Sequence, residues 1–341
     1  MPQNYPRTYQ DPQIKYPVCD SHHSFADYSK QCEEIIRLTR QDLNEFPQAV
    51  QLNAPFELRP TQPKATYGVL LVHGLLDSTF IMRDIGHHLQ SHGALVRSVL
   101  LPGHGTVPGA LLNVDYKQWL QTVKYGVETL KQDVDKVFIA GFSTGANLAM
   151  LHAASDTDIA GLILLAPAIK IHSPFVPLSK WMRTIHQWPR AQWFFLTDEI
   201  DYVKYQSIPF NAIYQVYQSG IEVKKIGAKE MSHCPMLMIT SEEDKIIYSK
   251  TVTDYFLQTT RTDNRLLVYS SKSLSFSDSR IEWRNSSYPN KNILHFCHIS
   301  LPVSPTNLHL GETGDCPYAS HYNKNIKYGA FDRMDIFLRN K

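Results

Sequence analysis

The chain has 341 residues, of which 43% are hydrophobic and 19% are charged, a composition that allows a substantial buried core. The 34 Lys and Arg residues nearly balance the 32 Asp and Glu residues, and no block of like charge stands out, so nucleic acid is not an expected partner. The longest apolar runs, such as residues 159–169, are shorter than the roughly 18 residues that a membrane-spanning helix needs.

The start of the chain lacks the basic segment and apolar core of a secretory signal peptide, so a cytoplasmic location is the default expectation. A leader that had been removed would leave the same sequence. The five cysteines are scattered and form no CxxC pair, which favours free thiols over a zinc or redox site. Cys297 and Cys316 are the pair that could join in an oxidising compartment.

Residues 1–64 are expected to form an N-terminal extension with one helix. The stretch after Ser24, a candidate helix cap, has apolar residues at helical spacing. From residue 65 to residue 169, short apolar runs alternate with helical segments. This alternation predicts an α/β fold in which right-handed βαβ units build a mostly parallel sheet flanked by helices.

The alternation stops between residues 170 and 233, where many aromatic residues crowd a helix-like, loop-rich stretch. We interpret these residues as an inserted helical cap. Strand character returns at residues 235–247 and 265–271, so residues 234–341 are predicted to complete the core.

One serine lies between two glycines where a predicted strand meets a predicted helix, in the segment Gly141-Phe142-Ser143-Thr144-Gly145. A serine hydroxyl is a poor nucleophile, so a hydrolase must expose it, give it a base and supply hydrogen-bond donors. A sharp turn exposes its central residue, and glycines two positions away leave room for that turn. The spacing matches the nucleophile elbow G-x-S-x-G and predicts Ser143 as a nucleophile. The alternative is a glycine-rich turn in which the serine caps a helix.

Two further motifs accompany the elbow: His-Gly at 73–74 ends one predicted strand, and Pro-Gly-His-Gly at 102–105 ends another. Together the three motifs resemble the α/β-hydrolase superfamily and, within it, the carboxylesterase and monoacylglycerol-lipase-like branch, over residues 65 to 310. The resemblance implies an α/β-hydrolase fold with an oxyanion hole formed by the backbone N–H groups of Leu75 and Thr144. The histidines of the two motifs are expected to be structural.

The resemblance also implies a catalytic acid after a late strand. Glu242, Glu243 and Asp244 follow such a strand, and we predict Asp244, because its spacing from the strand and the Lys-Ile-Ile after it resemble the loop of the family. Glu242 and Glu243 are expected in a solvated turn. The alternative for Asp244 is a cap of the next helix.

The base is harder to place, because the predicted strand RLLVYSS ends without a histidine. We predict that the Ser-rich residues 272–292 loop out as a second insertion, and that the last strand ends just before His298. His298 is the predicted base, at the start of a Pro-containing loop. His295 is expected to pack within the strand, and His309 and His321 are later candidates.

These residues predict a serine hydrolase that cleaves carboxylic esters through an acyl-enzyme, without a metal or organic cofactor. The aromatic cap favours a small-molecule ester or a lipid with an apolar acyl or alcohol group. A thioesterase or serine aminopeptidase on the same fold, or a binding protein that keeps the fold without catalysis, are the alternatives. The oligomeric state is left open.

Overall fold

One large sheet organises the chain in the computed structural model. The structure describes residues 7–17, 19–20, 23–61, 65–172, 176–182, 189–199, 201–288, 295–304 and 306–309. The sheet has eight strands in the order β1-β3-β2-β4-β5-β8-β9-β10, and all neighbouring pairs are parallel except β1 with β3. Its strands are Phe56–Leu58 (β1), Tyr67–Val72 (β2), Ala94–Val99 (β3), Val137–Phe142 (β4), Ile159–Leu165 (β5), Met236–Ser241 (β8), Arg265–Ser270 (β9) and Ile281–Asn285 (β10). The predicted α/β fold is confirmed.

Helices flank the sheet and bury its apolar strands. Every residue of the central strand β4 is buried, as expected for a parallel strand that is covered on both faces. The helices are Phe25–Thr39 (α1), Ala49–Asn53 (α2), Arg83–Ser91 (α3), Tyr116–Lys131 (α4), Thr144–Ala153 (α5), Val176–Met182 (α6), Phe210–Glu230 (α7) and Ser249–Phe256 (α8). In the part of the chain that the structure describes, none of them has the length and apolarity to cross a membrane.

The N-terminal residues belong to this core, and the prediction of an extension with one helix was wrong on this point. Besides α1 they contribute the short helix α2 and the edge strand β1, which pairs antiparallel with β3. Tyr28 of α1 is fully buried, and its hydroxyl donates to the Leu100 carbonyl (2.9 Å) while accepting from the Leu100 N–H (3.1 Å). A strand of three residues carries too little pattern to be recognised before its partner is known.

Residues 170–233, which we call the cap segment, interrupt the sheet between β5 and β8. They hold α6, α7 and a separate antiparallel pair formed by Trp193–Phe195 (β6) and Ile208–Pro209 (β7). Some of its rings are buried, two of them (Tyr202 and Tyr205) in the main hydrophobic core, and others face solvent. The buried rings include Trp193, Tyr202, Tyr205 and Phe210, and the exposed ones include Trp181, Phe194, Phe195 and Tyr217. That this segment is a separate cap domain stays a prediction.

The last strand of the sheet lies elsewhere than predicted. Residues 281–285, inside the segment 272–292 that we expected to loop out, form β10 and pair parallel with β9. The described residues directly before His298, 295–297, are irregular, and His298–Ser300 is a 3-10 turn. The alternating sequence Arg-Ile-Glu-Trp-Arg suits β10, because this strand is at the edge of the sheet and its Ile281 is buried while its other side chains are half-buried.

We expect Tyr28→Phe to lower the free energy of unfolding by about 1–3 kcal/mol, because it leaves the buried backbone groups of Leu100 without their partner. Urea unfolding followed by tryptophan fluorescence measures this loss. Tyr67→Phe is the matched control, since the Tyr67 hydroxyl donates to the His92 carbonyl at an exposed position, and we expect a change within about 0.5 kcal/mol. Equal losses in the two variants would contradict the anchoring role of Tyr28.

Candidate active site

The turn between β4 and α5 holds Ser143 in a strained backbone conformation. Its φ of 54° and ψ of −112° lie in a region that residues with a side chain rarely adopt. The Ser143 N–H donates to the Leu165 carbonyl (2.8 Å), and the Ser143 carbonyl accepts from the Ala168 N–H (3.2 Å). The neighbouring strand β5 and the residues after it therefore fix the backbone of the elbow.

The two flanking glycines are required by close backbone contacts. A Cβ on Gly141 would lie 2.4 Å from the Gly145 carbonyl oxygen, and a Cβ on Gly145 would lie 2.1 Å from the carbonyl oxygen of Val72. The turn is less open than predicted, since Ser143 is only 6% exposed. Gly74 of the adjacent turn packs beside it, and a Cβ on Gly74 would lie 3.2 Å from the Ser143 Cβ.

Asp244 and His298 form a buried pair. His298 Nδ1 donates to Asp244 Oδ2 at 2.6 Å, and Asp244 Oδ1 accepts from the N–H groups of Ile246 (2.7 Å) and Ile247 (3.0 Å). Burial by itself raises the pKa of Asp244, but the charge of His298, its hydrogen bond and these two N–H donors outweigh burial and hold the pKa below its usual value. When the His298 ring is neutral, the hydrogen bond from Nδ1–H to the carboxylate leaves Nε2 as a proton acceptor.

The His298 ring lies beside the elbow. Its centroid is 4.8 Å from the centroid of the Phe142 ring, and Phe142 directly precedes Ser143. Because β4 and β8 are parallel strands of one sheet, Ser143 and Asp244 both follow carboxyl ends at the same edge. The structure thus brings the three predicted residues of the triad to one edge of the sheet.

The two residues predicted to supply oxyanion N–H groups, Leu75 and Thr144, follow the carboxyl ends of β2 and β4, at the same edge of the sheet. Thr144 is the first residue of α5, where the N–H groups of a helix have no partner within the helix. Leu75 follows the end of β2, in the turn that carries Gly74. Among the described residues, no group of three or more His, Cys, Asp or Glu side chains is arranged to hold a metal ion.

Known proteins share this architecture. A family model described as serine aminopeptidase S33, Hydrolase_4, matches residues 61–204. A thermostable monoacylglycerol lipase of Bacillus sp. (strain H-257) is 26% identical over 184 residues, which are 53% of this chain and 71% of that protein. A structure of the metagenome-derived lipolytic enzymes LipS and LipT matches with a TM-score of 0.54 and 21% identity, over 63% of this chain and 86% of the other. The chain has the α/β-hydrolase fold.

A second solved structure has the same fold. A soluble variant of monoglyceride lipase from Saccharomyces cerevisiae, in complex with a substrate analog, superposes with a TM-score of 0.53 at 15% identity, over 64% of this chain and 82% of that one. The predicted resemblance to the superfamily and its monoacylglycerol-lipase-like branch is confirmed.

The other residues considered for the predicted acid and base have different surroundings. His309 Nδ1 is 2.5 Å from the Tyr202 hydroxyl, and the His309 ring packs edge-on against Phe80. His295 is half-buried in the irregular stretch before the 3-10 turn, and His321 lies outside the described residues. Glu243, in the loop of Asp244, accepts hydrogen bonds from the Ser271 N–H (2.6 Å) and the Ser286 hydroxyl (2.9 Å). These bonds connect the loop to the segment after β9 and to the end of β10.

Contacts from the cap segment support the turn after β2, and no sequence pattern predicted them. Asp77 is buried and pairs with Lys204 (2.7 Å), while the Leu76 carbonyl accepts from the Tyr205 N–H (2.9 Å). Leu76 itself has a positive φ of 67°. The partners are separated by more than 120 residues, and no local pattern links an aspartate to a lysine at that separation.

His73 and His104 connect the turn after β2 with the turn after β3. The His73 Nδ1–H donates to the Gly74 carbonyl (2.8 Å), its Nε2 accepts from the Leu101 N–H (3.1 Å), and its ring packs edge-on against His104 (4.9 Å between centroids). Burial lowers the pKa of His73 to about 4. Burial and then the neighbouring His73 lower the pKa of His104 to about 3. Both rings are neutral at pH 7 and hold backbone groups.

The lowered pKa values of His73 and His104 predict that the protein is less stable in mild acid. A histidine in the unfolded chain has a pKa of about 6.5 and binds a proton below that pH. In the folded protein, His73 binds a proton only below about pH 4 and His104 only below about pH 3. The free energy of unfolding must therefore fall as the pH falls, by on the order of 3 kcal/mol between pH 7 and pH 5. Urea unfolding at the two pH values measures this decrease.

His104→Asn keeps a donor near the position of Nδ1 but removes the titrating ring, so its pH dependence should be smaller than that of the wild type. His87→Asn, at an exposed position on α3, is the control and should retain the full decrease. If His104→Asn also retained it, the buried rings would not be the source.

Proposed function

We propose that this protein is a serine hydrolase that cleaves carboxylic esters with an apolar acyl or alcohol group. The observation that carries the proposal is the buried pair of His298 and Asp244 beside the strained Ser143, at the carboxyl edge of the sheet. The similarity to a monoacylglycerol lipase and to lipolytic enzymes supports esters as the substrate class.

In the proposed reaction, His298 Nε2 takes the proton of the Ser143 hydroxyl as Oγ attacks the ester carbonyl carbon. Asp244 holds the ring by the 2.6 Å hydrogen bond to Nδ1 and stabilises the imidazolium that forms. His298 then donates the proton to the leaving alkoxide. The products of this half-reaction are an alcohol and an acyl-enzyme.

The N–H groups of Leu75 and Thr144 are proposed to bind the oxygen that becomes negative during attack. Each such donor contributes on the order of 3 kcal/mol to transition-state stabilisation. In the second half-reaction, His298 Nε2 takes a proton from water as the water oxygen attacks the acyl carbon. The bond from that carbon to Ser143 Oγ then breaks and His298 returns the proton to Oγ, which releases the acid and restores the free enzyme. The contacts of the Leu76 carbonyl and Asp77 with the cap segment fix the turn that carries Leu75, so the donor is positioned before substrate binds.

Ser143→Ala should lower kcat for p-nitrophenyl butyrate by about 10⁶-fold and abolish labelling by a fluorophosphonate probe, because no other group replaces the nucleophile. His298→Ala should lower kcat by about 10⁴-fold or more. His309→Ala is the matched control and should retain turnover, since the His309 ring contacts Tyr202 and Phe80. Steady-state kinetics and gel fluorescence measure both effects.

Unchanged labelling of Ser143→Ala would rule out this nucleophile and favour a binding protein with the same fold. Turnover that survives in His298→Ala but is lost in His309→Ala would move the base to His309. Circular dichroism of each variant checks that the fold is retained.

A serine aminopeptidase is the second candidate, because the matching family model carries that description. The same nucleophile and base would then attack an amide next to a free amino group. We expect p-nitrophenyl esters to be cleaved with a kcat/KM at least about 100-fold above that of aminoacyl p-nitroanilides, and acyl-CoA thioesters to rank between them or below. A preference for the anilides would replace the esterase proposal with the peptidase.

A further inference from the structure

The helix α5 begins without a side-chain cap. Thr144 is its first residue, and the N–H groups of the first turn of a helix have no partner within the helix. Ser143 occupies the capping position before it, where a serine commonly accepts a hydrogen bond from one of these N–H groups. Its side chain forms no such bond here. The Ser143 hydroxyl is therefore not used to stabilise the helix.

The side chain of Thr144 adds a buried hydroxyl at the same place. Thr144 is 1% exposed, and its Oγ1 has no hydrogen-bond partner among the described residues. In particular, it does not donate to a carbonyl of the preceding turn, which is the usual bond of a threonine in a helix. A buried hydroxyl without a partner costs free energy that a methyl group of the same size would not.

Covalent geometry places this hydroxyl close to the proposed oxyanion donor. In either gauche rotamer of χ1, the Oγ1 of a threonine lies about 3 Å from the backbone nitrogen of the same residue. With helical backbone angles, an oxygen that accepts from the Thr144 N–H then lies about 3 Å from Oγ1 as well, which is hydrogen-bond distance. One substrate oxygen is thus within reach of both groups.

The charge that develops during the reaction favours this contact. Both donors of Thr144 lie at the positive end of the α5 dipole, directly after Ser143. A hydrogen bond to an ionised oxygen is roughly twice as strong as one to a neutral oxygen. The hydroxyl would therefore bind the negative oxygen of the transition state more tightly than the neutral carbonyl of the substrate, and such a difference raises kcat.

Resting on the proposed function, we propose that the Thr144 hydroxyl is a third donor of the oxyanion hole, beside the N–H groups of Leu75 and Thr144. It donates a hydrogen bond to the oxygen that becomes negative and keeps its own proton, so it adds no proton transfer to the reaction. Thr144 is then a catalytic residue through its side chain as well as its backbone. Unlike the two N–H groups, this donor can be removed by a substitution.

Thr144→Val removes the hydroxyl and keeps the size and branching of the side chain. We expect kcat for p-nitrophenyl butyrate to fall about 100-fold with KM nearly unchanged, because the lost contact forms in the transition state. Thr144→Ser restores a hydroxyl and should regain most of this loss. Steady-state kinetics measures both variants, and a wild-type kcat in Thr144→Val would overturn the proposal.

The thiono analogue of the same ester, in which sulfur replaces the carbonyl oxygen, separates contact with the oxyanion from other effects. Sulfur is a weak hydrogen-bond acceptor, so a donor of the oxyanion hole favours the oxygen ester. In Thr144→Val, the ratio of kcat/KM for the ester to that for the thiono analogue should fall about tenfold. If the two substrates lose kcat/KM equally, the hydroxyl does not act on the oxyanion, and the proposal is wrong.

Thr240→Val is the matched control. Thr240 lies in β8, and its buried Oγ1 also has no partner among the residues that the structure describes. The same substitution there should leave kcat and the substrate ratio as in the wild type. Because neither variant breaks a hydrogen bond, both should unfold at the urea concentration of the wild type or above it. A lower midpoint for Thr144→Val alone would assign the hydroxyl to the stability of the fold and contradict the proposal.

Labelling by a fluorophosphonate separates this proposal from the proposed function, because the phosphoryl oxygen meets the same donors when Ser143 attacks phosphorus. We expect the rate constant of labelling to be about tenfold lower in Thr144→Val than in the wild type. If the wild type cleaves no ester and this difference is found, the esterase proposal fails and the third donor stands. If esters are cleaved and Thr144→Val keeps the wild-type kcat and labelling rate, the third donor fails and the esterase proposal stands.

Discussion

The close approach of Gly145 to the carboxyl end of β2 is the constraint on which the rest of the site depends. With no side chain at this position, α5 begins directly against the Val72 and His73 carbonyls. This contact, together with fully buried residues along β4 and α5, holds Ser143 at a positive φ that costs of order 1–3 kcal/mol. The strain is small beside the free energy of burying the strand and helix that enforce it, so the serine has a fixed position.

The parallel sheet places other candidate residues at the same edge as this turn. Because the carboxyl ends of β2, β4 and β8 lie at one edge, the residues that follow them meet there: Leu75, Ser143 and Asp244. The acid is buried, which alone favours its neutral form, yet two backbone N–H groups and His298 keep it ionised. The same sheet edge thus supplies the proposed nucleophile, the orientation of the proposed base and one oxyanion donor.

The N-terminal residues contact the cap segment, and the cap segment contacts the turn that carries Leu75. The Tyr202 carbonyl accepts from Arg40 (3.1 Å) and from the Asn53 side chain (2.8 Å), so α1 and α2 hold the cap segment at this point. Two residues later, Lys204 pairs with Asp77 in the turn that carries Leu75. A chain of contacts therefore links the first helices to the proposed oxyanion hole. The N-terminal residues are thus part of the core and not an appendage.

The sequence by itself determined the α/β alternation and the glycine-flanked turn at Ser143, because strand periodicity, glycine spacing and turn sterics act between residues that are close in the chain. The loop of Asp244 was predicted from its resemblance to the family and not from these local rules. Only the tertiary structure decided which edge segments become β1 and β10, and which late histidine lies beside Asp244. The same holds for the Asp77–Lys204 pair. Each of these joins segments far apart in the chain, where the choice depends on which surfaces pack together, and no local pattern records that.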